Sequence, residues 1–361
     1  MHRSLPRLAL WLLSGALLLS VAPARTAASP ASPGRAQPAA VSDASESQGT
    51  TPVRIGTLGI IADAPIYIAN DRGYFAEQGL APTLERFDTG AQMVAPLAAG
   101  QLDAGAGTPA ASLFNAIGRA LPLRIVADNA RVAAGRSHIV LVARPDLLAD
   151  SSLRDYADLR GLRVAVNARG TGTEIQVDRA LQLGGLTLAD VDLQEVPFPD
   201  MLPALANRSL DAAITLEPFL ALGLARNVFG VFHPVGDFYP NQQIAVLLYA
   251  PQFAAQTDVA SRFMVAYLRG LRAFDDAFNR EVGRDEVVDV LARNTVVQDR
   301  ALYAAMVPHQ VDRNGQLNRE GLAADLDWYA AHGYLTGDKP DLNTVIDMRF
   351  VDYALGQLGR D

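Results

Sequence analysis

A segment that occurs twice constrains this chain more than any other feature. The stretch LAAGQLDAGAGTPA, Leu97 to Ala110, returns as LANRSLDAAITLEPF, Leu205 to Phe219, at an offset of 108 residues. In each copy a helix end of the form L-A-x-x-x-L-D-A runs into a short strand of small residues. A proline, Pro109 or Pro218, then stands where the next helix is expected to begin. Proline suits that place because the first helical position has no N–H partner to lose. The flanks repeat as well: VRIGTLG from Val53 and RVAVNARG from Arg163 are each a strand entering a glycine turn. A helical stretch closing on Gly79-Leu80 or Gly185-Leu186 follows, and then a second apolar strand, TLERF or LQEVPF. Two copies are too few for a solenoid. They predict two similar α/β lobes facing one cleft.

The chain has 361 residues, more than one typical domain, with half its residues hydrophobic and 19% charged, as in a globular protein with a large core. Its 39 acids against 31 bases argue against nucleic acid or an anionic membrane surface as partner. Lys339 is the single lysine, so any cationic grip on a ligand falls to arginine or to helix N-termini.

The first 24 residues have a basic start (Arg3, Arg7), an apolar run from Leu8 to Val21, and small residues at Ala22 and Ala24. That pattern predicts a cleavable signal peptide, the run being short for a membrane span, with an uncleaved anchor as the alternative. No cysteine follows the run, or occurs anywhere, so lipid attachment at the cleavage site is excluded. Export to a bacterial periplasm is the expectation. Residues 25–52, rich in Ala, Ser, Pro and Gly, predict a disordered leader.

Candidate site residues cluster at the turns. After Gly59 and Ile60, Asp63 precedes a helix begun by Ala64-Pro65; it can cap that helix, or accept a bond from a ligand. Thr89 and Gln92 lie at a second helix start, and Thr108 and Pro109 at a third. Arg169, Thr171, Gly172 and Thr173 join a strand to the helix expected from Glu174 to Leu183, where hydroxyls and free N–H groups can hold an anion or a carbonyl oxygen. Glu217 precedes Pro218 and either complements the helix dipole or meets the ligand; Phe219 stacks on a ring or simply packs. Gly105-x-Gly107-x-x-Ala110, with Asp128 beyond it, matches a dinucleotide fingerprint, but Pro109 sits inside it and the preceding strand is poor in β-branched residues. A glycine turn before a helix is the plainer reading.

From Asp258 onward the chain predicts helices, packed as a cap on the first lobe. The segments APIYIANDRGYFAEQGL, LAAGQLDAGAGTPA, LPLRIVADN and DLRGLRVAV with LDAAITLEPF resemble the substrate-binding proteins of ABC importers in the nitrate, sulfonate, taurine and thiamine-precursor family. The similarity runs from Val53 to about Leu358.

The resemblance implies an α/β, bilobed periplasmic-binding-protein (type II) fold. Two doubly wound sheets are joined by a two-strand hinge, with a helical C-terminal part on lobe 1. Lobe 1 would comprise residues 53–143 and 244–361, lobe 2 residues 144–243, with crossings near Val142 to Pro145 and Tyr239 to Ala245. It further implies a monomeric, non-catalytic solute receptor with no cofactor and no metal, whose partners are a small ligand and ABC permease subunits.

In open α/β sheets ligands bind beyond the carboxyl ends of the strands, which here groups the turn residues named above. Arg169 and the turn N–H groups would suit a sulfonate, carboxylate or nitrate, whereas Asp63 and Glu217 would suit a donor on the ligand. The rival class is an enzyme on the same scaffold. Lack of cysteine removes the nucleophile or ligand used by enzymes that resemble this fold, and His2, His138, His233, His309 and His332 are scattered without zinc spacing. No G-x-S-x-G elbow is present, which leaves an Asp63 and Glu217 carboxylate pair as the route to a hydrolase.

Overall fold

The computed structural model describes residues 50–361 apart from 120, 122 and 136. The expected signal peptide, and the leader up to residue 49, lie outside the described residues. Thr51 and Pro52, assigned to that leader, instead open the first strand.

The chain builds two five-stranded sheets. The first contains β1 (Thr51–Thr57), β2 (Leu80–Arg86), β3 (Ala104–Gly107), β4 (Arg124–Arg131) and β10 (Gln243–Tyr249). The second contains β5 (Ile139–Ala143), β6 (Arg163–Val166), β7 (Asp192–Glu195), β8 (Ala212–Leu216) and β9 (Gly230–Pro234). Their orders, β2-β1-β3-β10-β4 and β7-β6-β8-β5-β9, are the same pattern twice. In each, the first three strands run parallel, and the fourth lies antiparallel to both neighbours.

One boundary differs from expectation. Ile139–Ala143, placed by sequence in the first lobe, is the antiparallel strand of the second sheet, in register from Ile139 opposite Leu216 to Ala143 opposite Ala212. Its five residues are all apolar and buried, so they suit the centre of either sheet. The chain therefore crosses at residues 132–138 instead of 142–145, and returns between β9 and β10. The crossings bond to each other: Val132 N–H donates to the Gln242 carbonyl and Asn241 N–H to the Val132 carbonyl, both at 3.0 Å.

Each sheet carries its own apolar core. In the first, the helix Thr257–Asn279 lies on Ala64–Asp71, and Gly270 permits the approach, since a Cβ there would stand 2.1 Å from the Pro65 carbonyl oxygen. The C-terminal region, expected as a cap on the first lobe, reaches the second lobe as well. From the helix Arg319–Ala331, Trp328 Nε1 donates to Asp178 at 2.8 Å, and beyond it Tyr334 Oη donates to Glu174 at 2.7 Å, both acceptors on the second-lobe helix Gly172–Leu183. Two buried carboxylates in this frame demand exact matching of donors, so a helix that supplies them is tied to both lobes. No helix among the described residues is long and apolar enough to cross a membrane.

Candidate functional site

Between the strand ends of the two sheets lies a cavity of about 430 Å³. Its first-lobe wall includes Ile60 after β1, Thr89 and Gln92 after β2, and Thr108 after β3. Its second-lobe wall includes Thr171, Gly172 and Thr173 after β6, then Glu217 and Phe219 after β8. The remaining sequence candidates, Gly59, Ala64, Pro65, Pro109, Asp63 and Arg169, do not line it.

The displaced residues have structural duties. Gly59 turns the chain at φ +72° beside the Arg86 side chain. Asp63 is fully buried and makes no side-chain bond to the first turn of Ala64–Asp71. One carboxylate oxygen instead accepts the N–H groups of Leu58 (2.8 Å) and Ile60 (3.1 Å), so it holds the preceding loop. Burial pushes that carboxyl up to about 7, against the pull of those backbone N–H groups. Asp63 therefore forms no carboxylate pair with Glu217 across the cavity. Arg169 was expected to meet an anion, but its guanidinium donates to Glu174 (3.2 Å) and to the Leu193 carbonyl (2.9 Å). Pro109 lies two residues ahead of the helix Ala111–Gly118, and Pro218 directly ahead of Phe219–Ala225.

The glycines of the dinucleotide-like motif are explained by the sheet. Gly105 and Gly107 lie within β3 rather than in a turn, and a Cβ on Gly107 would stand 2.8 Å from Leu248 Cδ1. Asp128 is buried in β4, bonded to Arg131 (3.2 Å) and Gln243 (2.6 Å).

On the second lobe, Asn167 organises the turn by accepting the hydroxyls of Thr171 (3.1 Å) and Thr173 (2.7 Å). The hydroxyls are thereby committed, and the first-turn N–H groups of Gly172–Leu183 remain the donors there. Glu217 is 1% exposed; its two oxygens accept N–H groups of Ala221 (3.0 Å) and Val307 (3.1 Å). Burial pushes its carboxyl up to about 7. The Phe219 ring stacks with Phe198 at 6.2 Å between centroids and 16° between planes.

Sequence reasoning missed Arg86, Asp88, His138, Phe198 and Asp200, all of which line the cavity. Arg86 and Asp88 lie just short of Thr89, at the end of β2, so the strand-end rule applied three residues earlier would have found them. His138 belongs to the misassigned crossing. It is buried, and burial lowers its pKa to about 4, keeping the ring neutral. Although the histidines are scattered in sequence, the His138 and His309 rings meet at 5.7 Å, and His309 stacks on Phe274 at 4.3 Å. Among the described residues no three metal-ligating side chains cluster.

Known proteins share this architecture. The NMT1-like family profile matches residues 46–287. A Brucella abortus (strain 2308) protein named as a binding protein is 26% identical over 246 residues, covering 67% of this chain and 71% of its own. The periplasmic aliphatic sulphonate binding protein of Escherichia coli superposes with a TM-score of 0.67 at 18% identity, over 84% of this chain and 99% of that one. The periplasmic nitrate-binding protein of Synechocystis PCC 6803 gives 0.69 at 14% identity, over 86% and 89%. At such identities the likeness is one of fold, and it is the periplasmic-binding-protein fold expected from the sequence.

Proposed function

The chain belongs to the NMT1-like family, and from that premise we propose that it is a non-catalytic periplasmic receptor delivering a small organic solute to an ABC permease in the inner membrane. The observation that carries this reading is the cavity of about 430 Å³ built from the strand ends of both sheets. A solute held there touches both lobes at once, so binding favours the closed arrangement and marks the loaded state for a permease. The solved relatives named for sulphonate and nitrate binding, and the fold they share with this chain, support a sulfonate, taurine, nitrate or pyrimidine-like compound as the solute class. Export by the N-terminal segment and action as a monomer belong to the same proposal.

The test is a thermal-shift screen of the purified chain, stripped by partial unfolding, against sulfonates, taurine, nitrate, pyrimidines and aromatic compounds. A solute at one hundred times its Kd adds about 2.7 kcal/mol. Stabilisation by one class, together with loss of its uptake on gene deletion, is the expected result. Turnover of a bound compound, or import unaltered by the deletion, overturns it.

A further inference from the structure

The cavity has a polar floor of unusual composition. His138 and Glu217 stand directly opposite each other, one step beyond the Ile139 and Leu216 pair of the antiparallel β5–β8 ladder, and Glu217 N–H donates to the His138 carbonyl at 2.9 Å. Opposite residues of such a ladder project to the same face. Both residues line the cavity, and both are buried, at 3% and 1% exposure. Each Glu217 oxygen takes a single backbone N–H and retains a lone pair. The buried Nδ1 of His138 has no hydrogen-bond partner. A buried polar atom without a partner is costly, and it is explained when a group inside the cavity completes it.

Beyond this pair the charged side chains of the lining are exposed, and its polar residues, Thr89, Gln92, Thr108, Asn167 and Gln176 among them, are uncharged. Ile61, Leu216, Ile244 and Val296 surround the space, with Phe198 and Phe219 offering flat faces. Arg86, the one cation of the lining, is exposed at the mouth, where Asp88 and Asp200 also stand. No cation holds Glu217 in its charged form; burial is the dominant influence on it, and burial also keeps neutral His138, opposite it, and His309, whose ring meets that of His138.

We propose that Glu217 and His138 form the recognition subsite for an uncharged, flat polar group carrying a donor and an acceptor side by side, such as a carboxamide or lactam edge, and that the cleft disfavours carboxylates and sulfonates of the same shape. The proposal rests on the receptor reading and narrows its solute class. A carboxylic acid offers one O–H and one carbonyl oxygen, the complement of an amide edge, and a neutral imidazole adds one further donor or acceptor. An anion at this place would face the carboxyl with no cation to offset its desolvation.

Benzamide, benzoate and benzenesulfonate share a ring and differ in this group. Their Kd values, measured by ligand-observed NMR at pH 6, are expected to favour benzamide by at least tenfold. Benzamide affinity in the unaltered chain should fall about tenfold from pH 6 to pH 8, because the acid form of Glu217 becomes scarce. Glu217→Gln, an uncharged mimic of the acid, should abolish that pH dependence, whereas Glu217→Ala should weaken benzamide at least tenfold. Circular dichroism checks that each variant folds, and Glu217→Gln remains decisive if Glu217→Ala does not. Equal or tighter binding of benzenesulfonate overturns the proposal, as does an unaltered pH profile in Glu217→Gln. Silence of all three compounds while another solute stabilises the protein also overturns it and leaves the receptor reading standing. Silence of every solute tested defeats both.

Discussion

The two lobes begin their central strands identically and end them differently. Before β3, Asp103 accepts the Arg54 backbone N–H at 2.8 Å and its guanidinium at 3.0 Å; before β8, Asp211 does the same for Arg163 at 2.9 and 2.8 Å. The L-D-A of the repeated segment is therefore a staple between neighbouring parallel strands, made twice. At the far ends β3 runs Ala104–Gly107 into Thr108-Pro109, whereas β8 runs one residue longer, Ala212–Leu216, into Glu217-Pro218. One lobe thus offers the cavity a hydroxyl and the other a buried carboxyl. The repeat preserves the frame, and the chemistry of the cleft is written where the copies diverge.

The largest asymmetry is the long helix Thr257–Asn279, which packs into the core of the first lobe and has no counterpart among the described residues of the second. Gly270→Ala places a methyl 2.1 Å from the Pro65 carbonyl oxygen, a rigid backbone atom, and is expected to cost about 3 kcal/mol in a denaturant titration. A cost below about 1 kcal/mol would mean that the long helix yields easily and braces the first lobe little.

The staples themselves come next. Asp211 serves an additional partner, Arg144, at 2.6 Å, which Asp103 lacks. Asp211→Ala strands two guanidinium partners and a backbone N–H and should cost about 3 kcal/mol; Asp103→Ala strands fewer and should cost about 2 kcal/mol. Arg144 keeps Asp146 at 2.7 Å in either case, which limits the difference. The reverse order in denaturation midpoints would break the equivalence of the two staples.

These features show which parts of the molecule were legible in the sequence. The offset repeat carried the common sheet order, because strand, turn and helix lengths recur and each copy has the same staple. Nine site candidates at strand ends reached the cavity for the same reason. The strand Ile139–Ala143 was assigned to the wrong lobe because a uniformly buried strand has no polar face to betray its sheet. Arg169 misled because the Leu193 carbonyl is brought to it only by the parallel pairing of β6 and β7, and its other partner, Glu174, was read only as the start of the following helix. The His138 and His309 contact spans both crossings, so no local spacing signals it.

The finest difference between the lobes concerns protons. Asp63 in the first lobe and Glu217 in the second are both pushed up to about 7 by burial, one holding a loop and the other lining the cavity. Each folded-state pKa exceeds its unfolded value near 4, so the folded protein binds the proton more tightly. The stabilisation is complete below about pH 4 and is lost as pH rises through 7, by about 1 kcal/mol per group between pH 6 and pH 8. His138, lowered by burial, works in the opposite sense over the lower part of this range, so the informative quantity is the change in slope relative to the unaltered chain. Asp63→Asn and Glu217→Gln should each flatten the fall in stability between pH 6 and pH 8 by that amount, read from urea midpoints without ligand. Adding benzamide separates them: it should restore the acid form of Glu217 and leave the Asp63 contribution as it was, since only Glu217 meets the cavity. Equal responses of both carboxyls to benzamide would show that the loop held by Asp63 moves with the site, and the division between frame and chemistry would fail at that point.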